Sequence, residues 1–170
     1  GDGFNFAADW NSSVAVGKGS LNYTLGYYKQ KLTNRAGDIV DTDPTYQHWI
    51  DANPQGGMIY GQPDMEKFDA FTNFEYPLAH NAKFYTFNGV TTRTGRSFAF
   101  YRAPYWRPDV AAAEFWTPEN LFVGYHPTFE TDITDNMNVM GLEFNFFGFN
   151  ADLSGTYGRN DVRYTVNRSV

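Results

Sequence analysis

Four groups of side chains have types and spacings that could do chemistry. Gly17-Lys18-Gly19-Ser20 holds the glycines, lysine and hydroxyl of a phosphate-cradling loop. The spaced glycine ahead of Gly-Lys-Ser/Thr is missing and no helix pattern follows, so the amides that would converge on a phosphate are not expected there. His48, His80 and His126 fall on separate predicted loops or turns, with no carboxylate or cysteine at metal-ligand spacing, and read as solvated loop residues. Asp38, Asp41, Asp43 and Asp51 offer the hard oxygens that calcium takes, but their spacing matches no EF-hand, and loop solubility is the simpler account. The fourth group is the strongest. Arg93, Arg96, Arg102 and Arg107 stand beside Tyr101, Tyr105 and Trp106. Forked guanidinium hydrogen bonds and ring stacking together grip a carboxylate, a phosphate or a sugar. Arg96, Tyr101, Arg102, Tyr105, Trp106 and Arg107 are therefore the candidate ligand-binding residues. No Ser/His/Asp or paired-carboxylate arrangement stands out, so the reading is non-enzymatic, with no catalytic residue, metal or cofactor.

Whole-chain properties limit what could hold these residues. Aromatics make up 19% of the 170 residues and are spread along the whole sequence, which demands a large apolar surface to receive them. Yet the mean hydropathy is −0.52. No run approaches the roughly 18 apolar residues of a membrane helix. A formal charge of −6 excludes a nucleic-acid partner, which needs a basic face. There is no cysteine, which fits an envelope protein without a disulfide framework. Gly1-Asp2-Gly3 leads directly into Phe4-Asn5-Phe6 with no signal-peptide pattern, so a leader is expected to have been removed or the start to lie elsewhere.

Apolar residues alternate with period two nearly everywhere, the signature of half-buried strands. Phe4, Phe6, Ala8 and Trp10 oppose Asn5, Ala7, Asp9 and Asn11, and Gly17 to Gly19 reverse the chain into Leu21, Tyr23, Leu25 and Tyr27. A polar stretch from about Thr33 to Asp64 reads as a large loop. Phe68, Ala70, Thr72, Phe74 and Tyr76 then oppose Lys67, Asp69, Asn73 and Glu75, with Phe71 the exception. Pro77 to Ala82 make a reversal, and Lys83 to Tyr101 form a long strand of unassigned facing. Pro104, Pro108, Pro118 and Pro127 mark a second loop from about Arg102 to Thr134, with a possible short helix over Asp109 to Phe115. Met140, Leu142, Phe144 and Phe146, a turn over Phe147 to Asn150, and Phe149, Ala151, Leu153 and Tyr157 complete the pattern.

Short turns alternate with two loops of roughly thirty residues, and the strands between are long enough to cross a bilayer. This is the topology of an antiparallel transmembrane β-barrel, with short periplasmic turns and long extracellular loops. A barrel strand averages out as hydrophilic because one face meets lipid and the other the lumen. Leu142, Phe144, Phe146, Ala151 and Leu153 are expected to face lipid. Glu143, Asn145, Asp152 and Ser154 are expected to face the lumen. About six strands result, too few to close a bacterial barrel, so residues 1–170 are expected to be part of a larger wall. In that setting the arginine and aromatic group has two competing readings: an interfacial girdle whose arginines reach lipopolysaccharide phosphates, or an ordinary exposed loop. A small self-contained barrel or porin-like channel would need hidden strands in the loops. A soluble β-sandwich that binds carbohydrate would show shorter strands and more even loops.

The sequence then resembles a family. Asn34-Arg35-Ala36-Gly37 follows an upward strand, Tyr60-Gly61-Gln62-Pro63 precedes a downward one, and Phe100-Tyr101-Arg102-Ala103-Pro104 follows the next upward one. With Gly124-Tyr125-His126-Pro127, Thr131-Asp132-Ile133-Thr134-Asp135, Gly141-Leu142 and Asp152-Leu153-Ser154-Gly155-Thr156-Tyr157-Gly158-Arg159-Asn160, these resemble the barrels of TonB-dependent receptors. The resemblance runs from about Leu21 to Asn160. It implies a place in the outer membrane of a Gram-negative bacterium, in a barrel of about twenty-two strands around a plug. It also implies uptake of a bulky nutrient such as a siderophore, cobalamin or oligosaccharide. The implied partners are outer-membrane lipid and lipopolysaccharide, the rest of the barrel and the plug, and the energising TonB protein through an N-terminal box. Neither plug nor box is visible in these residues.

Overall fold

The computed structural model describes residues 3–39, 47, 50–51, 58–79, 81–103, 107 and 125–168. Among them lie six strands: β1 (Asn5–Val16), β2 (Gly19–Gln30), β3 (Asp64–Ala79), β4 (Ala82–Phe98), β5 (Thr128–Phe146) and β6 (Phe149–Asn167). Each pairs antiparallel with its neighbour in the chain, so the sheet is a simple meander. β1 and β6 do not meet, and the sheet is open. The alternation thus produces an all-β antiparallel sheet of six strands.

The connections follow from local backbone chemistry. Gly17 takes the left-handed region at φ 63°, which lets Gly17 and Lys18 reverse the chain in two residues. Phe147 and Gly148 make the other two-residue turn, with φ of 50° and 81°. Two left-handed central residues match the twist of paired strands. This turn is shorter than the expected Phe147 to Asn150, because strand pairing continues to Phe146↔Phe149. The expected reversal at Pro77 to Ala82 also shrinks. Pro77 lies within β3, where its missing N–H does no harm, since the β2 ladder ends at Ser20↔Glu75 and a register shift follows between Pro77 and Ala79.

Both expected loops are narrower than the sequence suggests. The Thr33 amide donates to the Gln62 carbonyl at 3.1 Å and the Arg35 amide to Tyr60 at 2.6 Å, so the β2–β3 pairing runs on beyond the strands. β5 begins at Thr128, directly after Pro127, well inside the stretch read as loop. The expected short helix over Asp109 to Phe115 lies outside the described residues.

Directly paired residues in an antiparallel ladder project to one side, so the registers assign each side chain to a face. One face carries Phe6, Trp10 and Val14 on β1, Leu21, Leu25 and Tyr27 on β2, and Phe68, Phe74 and Tyr76 on β3. It continues through Phe84 and Val90 on β4 to Met140, Leu142, Phe144 and Phe146 on β5 and Phe149, Ala151, Leu153 and Tyr157 on β6. The opposite face carries Asp9, Asn11, Asn22, Thr24, Lys67, Asp69, Asn73, Glu75, Lys83, Glu143, Asn145, Asp152 and Ser154. Nothing covers the apolar side among the described residues: Leu153 is 68% and Phe149 76% exposed, and the only buried apolar residues are Ile50, Ala103 and Val139. The chain exposes 11803 Å². A compact monomer of its mass would expose about 8,500 Å².

The apolar band is slanted across the sheet. Within the strands its margin towards the loops is Phe6 on β1, with Phe4 just beyond the strand end, and the row of paired residues through Phe6 runs by Lys29, Glu66, Thr94 and Asp132 to Arg163 on β6. On β6 the last apolar residue of the band is Tyr157, six residues short of Arg163. At about 3.4 Å per residue and about 4.8 Å between strands, that fall across five strand spacings is a slope of about 40°. The margin towards the turns falls as well. The row of Val14 reaches Gly155 on β6, the pleat below it holds Val16 and Leu153, and the band ends four residues further, at Phe149. Its slope is about 30° by the same spacings.

Candidate functional site

The polar face is laced together across strands. Lys83 Nζ lies 3.1 Å from Glu143 and 3.4 Å from Glu75. Tyr85 reaches over β5 and donates to Asp152 Oδ2 at 2.9 Å. It can do so because Gly141 lies beneath the ring, where a Cβ would stand 2.4 Å from Tyr85 Cζ. Phe71, the exception to the β3 alternation, lies on this face over Gly89 in the same manner, with Cε1 at 2.5 Å from the position a Cβ would take. An aromatic ring covering a neighbouring glycine supplies the packing that the glycine lacks. Asp69 accepts from Thr91 Oγ1 at 2.7 Å and pairs with Lys67 at 2.8 Å. Glu143, Asn145, Asp152 and Ser154 share this face, while Leu142, Phe144, Phe146, Ala151 and Leu153 share the other.

At the loop end a second cluster forms. Arg96 Nη2 donates to Asp64 Oδ2 at 3.3 Å, and its Cζ lies 5.7 Å from the centre of the Phe98 ring. His126 packs edge-on against both Phe98 at 5.8 Å and Tyr101 at 4.7 Å. Arg96, Phe98, Tyr101 and His126, with Tyr125, Thr128 and Glu130, line an open cleft of about 560 Å³. Burial pushes the Tyr101 phenol above its ordinary pKa. Of the candidate ligand residues, Arg96 and Tyr101 therefore come together in one cleft. Arg102 meets Tyr125 through its backbone, N to O at 2.7 Å, and the Arg107 amide donates to Ala103 at 3.0 Å. Tyr105 and Trp106 lie outside the described residues.

The facing of Arg96 separates it from the polar network. Its register partners Asp64 and Glu130 stand on the side that carries Leu142 and Leu153, beyond the end of the apolar band. Arg93 stands on the opposite, polar side, paired with Lys67 and Ile133. The two arginines thus cannot grip one ligand from the same face.

Thr72, Thr86 and Asn88 place polar groups within the apolar band, as do Ser12 and Asn138 in the row of Thr72 and Asn88. Asn88 Nδ2 donates to Thr72 at 3.3 Å and Thr86 at 3.2 Å, and the Thr86 hydroxyl donates to the Val139 carbonyl at 2.7 Å. The polar atoms of Thr72, Thr86 and Asn88 are therefore satisfied within the sheet.

His48, His80, Asp41 and Asp43 lie outside the described residues, and Asp51 accepts from Gln47 at 2.7 Å. Among the described residues no group of three acidic or histidine side chains could hold a metal ion. No helix there is long and apolar enough to cross a membrane, which says nothing about strands. Lys83, Tyr85 and the Gly89 and Gly141 cradles escaped sequence reasoning, because β4 mixes polar and apolar residues on both faces and β5 changes the face of its apolar residues just before Gly141; a tyrosine or phenylalanine one residue out of phase with its strand was the available signal. Comparison with protein-family models, curated proteins and solved structures gives no match for this chain.

Proposed function

We propose that this sheet is part of the wall of an outer-membrane β-barrel of the TonB-dependent receptor type, serving uptake of a bulky nutrient. The observation that carries the reading is the slanted, uncovered apolar band. In a barrel the strands tilt by roughly 35–45° while the bilayer stays level, so lipid must write a band across the sheet at the tilt angle. The slopes of about 30° and 40° derived above bracket the lower part of that range. A soluble β-sandwich has no reason to slant its apolar face, and it would cover that face with a second sheet. A small closed barrel would need β1 and β6 to pair.

In this orientation Leu142, Phe144, Phe146, Ala151 and Leu153 face lipid, and Glu143, Asn145, Asp152 and Ser154 face the lumen. The Arg96 cleft faces outward above the bilayer, beside Lys29, which lies 3.6 Å from Glu66. That facing favours contact with lipopolysaccharide phosphates over contact with the transported compound. The plug, the remaining strands and the TonB protein complete the transporter. These 170 residues contain no cysteine, so single replacements within them report facing once any cysteine elsewhere in the protein is replaced. In outer-membrane vesicles a water-soluble maleimide should label Ser154→Cys and spare Leu153→Cys; equal labelling of the two would refute the wall reading. Uptake that survives an uncoupler would point instead to a passive channel.

A further inference from the structure

Above the apolar band the strands invert. On β6 the side that was apolar now carries Arg159, Asp161 and Arg163, while Val162, Tyr164 and Val166 appear on the face that carries Asp152 and Ser154 nearer the turns. β5 does the same with Phe129 and Ile133, which pair with Val166 and Val162. The result is an apolar patch on the polar face, at the end where the long loops emerge, with Tyr164 71% and Phe129 45% exposed. Large side chains grouped in this way on a wetted surface mark a place where something docks. Beside the patch, in the row through Ile133 and Val162, stands Arg93. Of the cations on this face, Lys67 is held by Asp69 and Lys83 by Glu143. The Arg93 side chain makes no ion pair or hydrogen bond among the described residues.

An uncommitted guanidinium flanked by an aromatic and aliphatic surface is complementary to a ligand with an anionic group on an apolar body. We infer that this surface is a docking site for the transported compound and that the compound is an amphiphilic anion, with its carboxylate, sulfonate or phosphate at Arg93 and its ring or chain over Phe129, Ile133, Val162 and Tyr164. A neutral sugar can stack on such rings but carries no anionic group to meet Arg93. The inference rests on the wall reading above, which gives this face to the lumen.

The test uses the full-length protein in lipid nanodiscs, titrated with 8-anilinonaphthalene-1-sulfonate after subtraction of empty discs. Arg93→Gln should weaken binding about tenfold, the size of a lost charge-assisted hydrogen bond. Tyr164→Ser should weaken it as well. Arg163→Gln, at the same height on the other face, should leave it unchanged. The uncharged N-phenyl-1-naphthylamine should respond to Tyr164→Ser and not to Arg93→Gln. Labelling of Ser154→Cys and Leu153→Cys in the same discs reads the wall separately. Correct labelling with no effect of Arg93→Gln, or an equal effect of Arg163→Gln, overturns the docking site alone; reversed labelling overturns the docking site together with the wall.

Discussion

Leu153 and Ser154 are chain neighbours on opposite faces, one opposite Leu142 and the other opposite Gly141. If lipid lies on the Leu153 side, a charge there must leave water while one at Ser154 need not. Leu153→Arg should therefore cost about 2–4 kcal/mol in a refolding titration and Ser154→Arg much less. The glycine cradles give a second residue-scale expectation. At Gly89 a side chain meets the Phe71 ring, and Gly89→Val should destabilise by about 1–3 kcal/mol, as overpacking does. In a Phe71→Ala background the same change should cost clearly less, a non-additivity that a double-mutant cycle reads directly.

Among the elements, the β2–β3 hairpin continues past its strands through Thr33 and Arg35, and Gly61 lies tight against it. A Cβ at Gly61 would stand 2.4 Å from the Thr33 carbonyl oxygen, which is backbone and cannot swing aside. Gly61→Ala should therefore break this extension, and hydrogen exchange should show the Thr33 and Arg35 amides losing protection while the β2 core keeps its own. How much of each element was legible in the sequence depends on how many rules a strand obeys. β1, β2 and β6 from Phe149 to Tyr157 obey one, apolar to one side, and their facing could be read. β4 obeys none, because Thr86 and Asn88 enter the apolar face as a satisfied trio with Thr72 while Phe87 sits with the polar residues. β5 changes rule at Val139-Met140: Phe129, Ile133, Met137 and Val139 project to one side, Met140, Leu142 and Phe144 to the other. Read as a single period its outer half dissolves into loop. For the same reason the facing of Arg96, and with it the split between Arg96 and Arg93, was hidden until the register fixed it.

At the scale of the sheet, β1 and β6 each keep one edge unpaired among the described residues. In hydrocarbon an unpaired amide or carbonyl costs several kcal/mol, so a six-strand arc cannot rest in lipid by itself. The 170 residues expressed alone in detergent should aggregate or stay unfolded, and should not give the heat-modifiable band shift of a closed barrel. A heat-modifiable band from this segment would mean that it closes on its own.

Strand length grows across the sheet, from 12 residues in β1 and β2 to 16 and 17 in β3 and β4 and 19 in β5 and β6. On β1 the band ends almost where the strand does, at Phe6, but β6 continues ten residues beyond Tyr157. At about 3.4 Å per residue and the slope of the band, β6 would rise roughly 25 Å above the bilayer in the wall proposed above. In that wall β5 and β6 would form a tall shoulder. A molecule arriving from outside the cell would then meet the inner side of that shoulder first, where Tyr164 and Phe129 stand exposed.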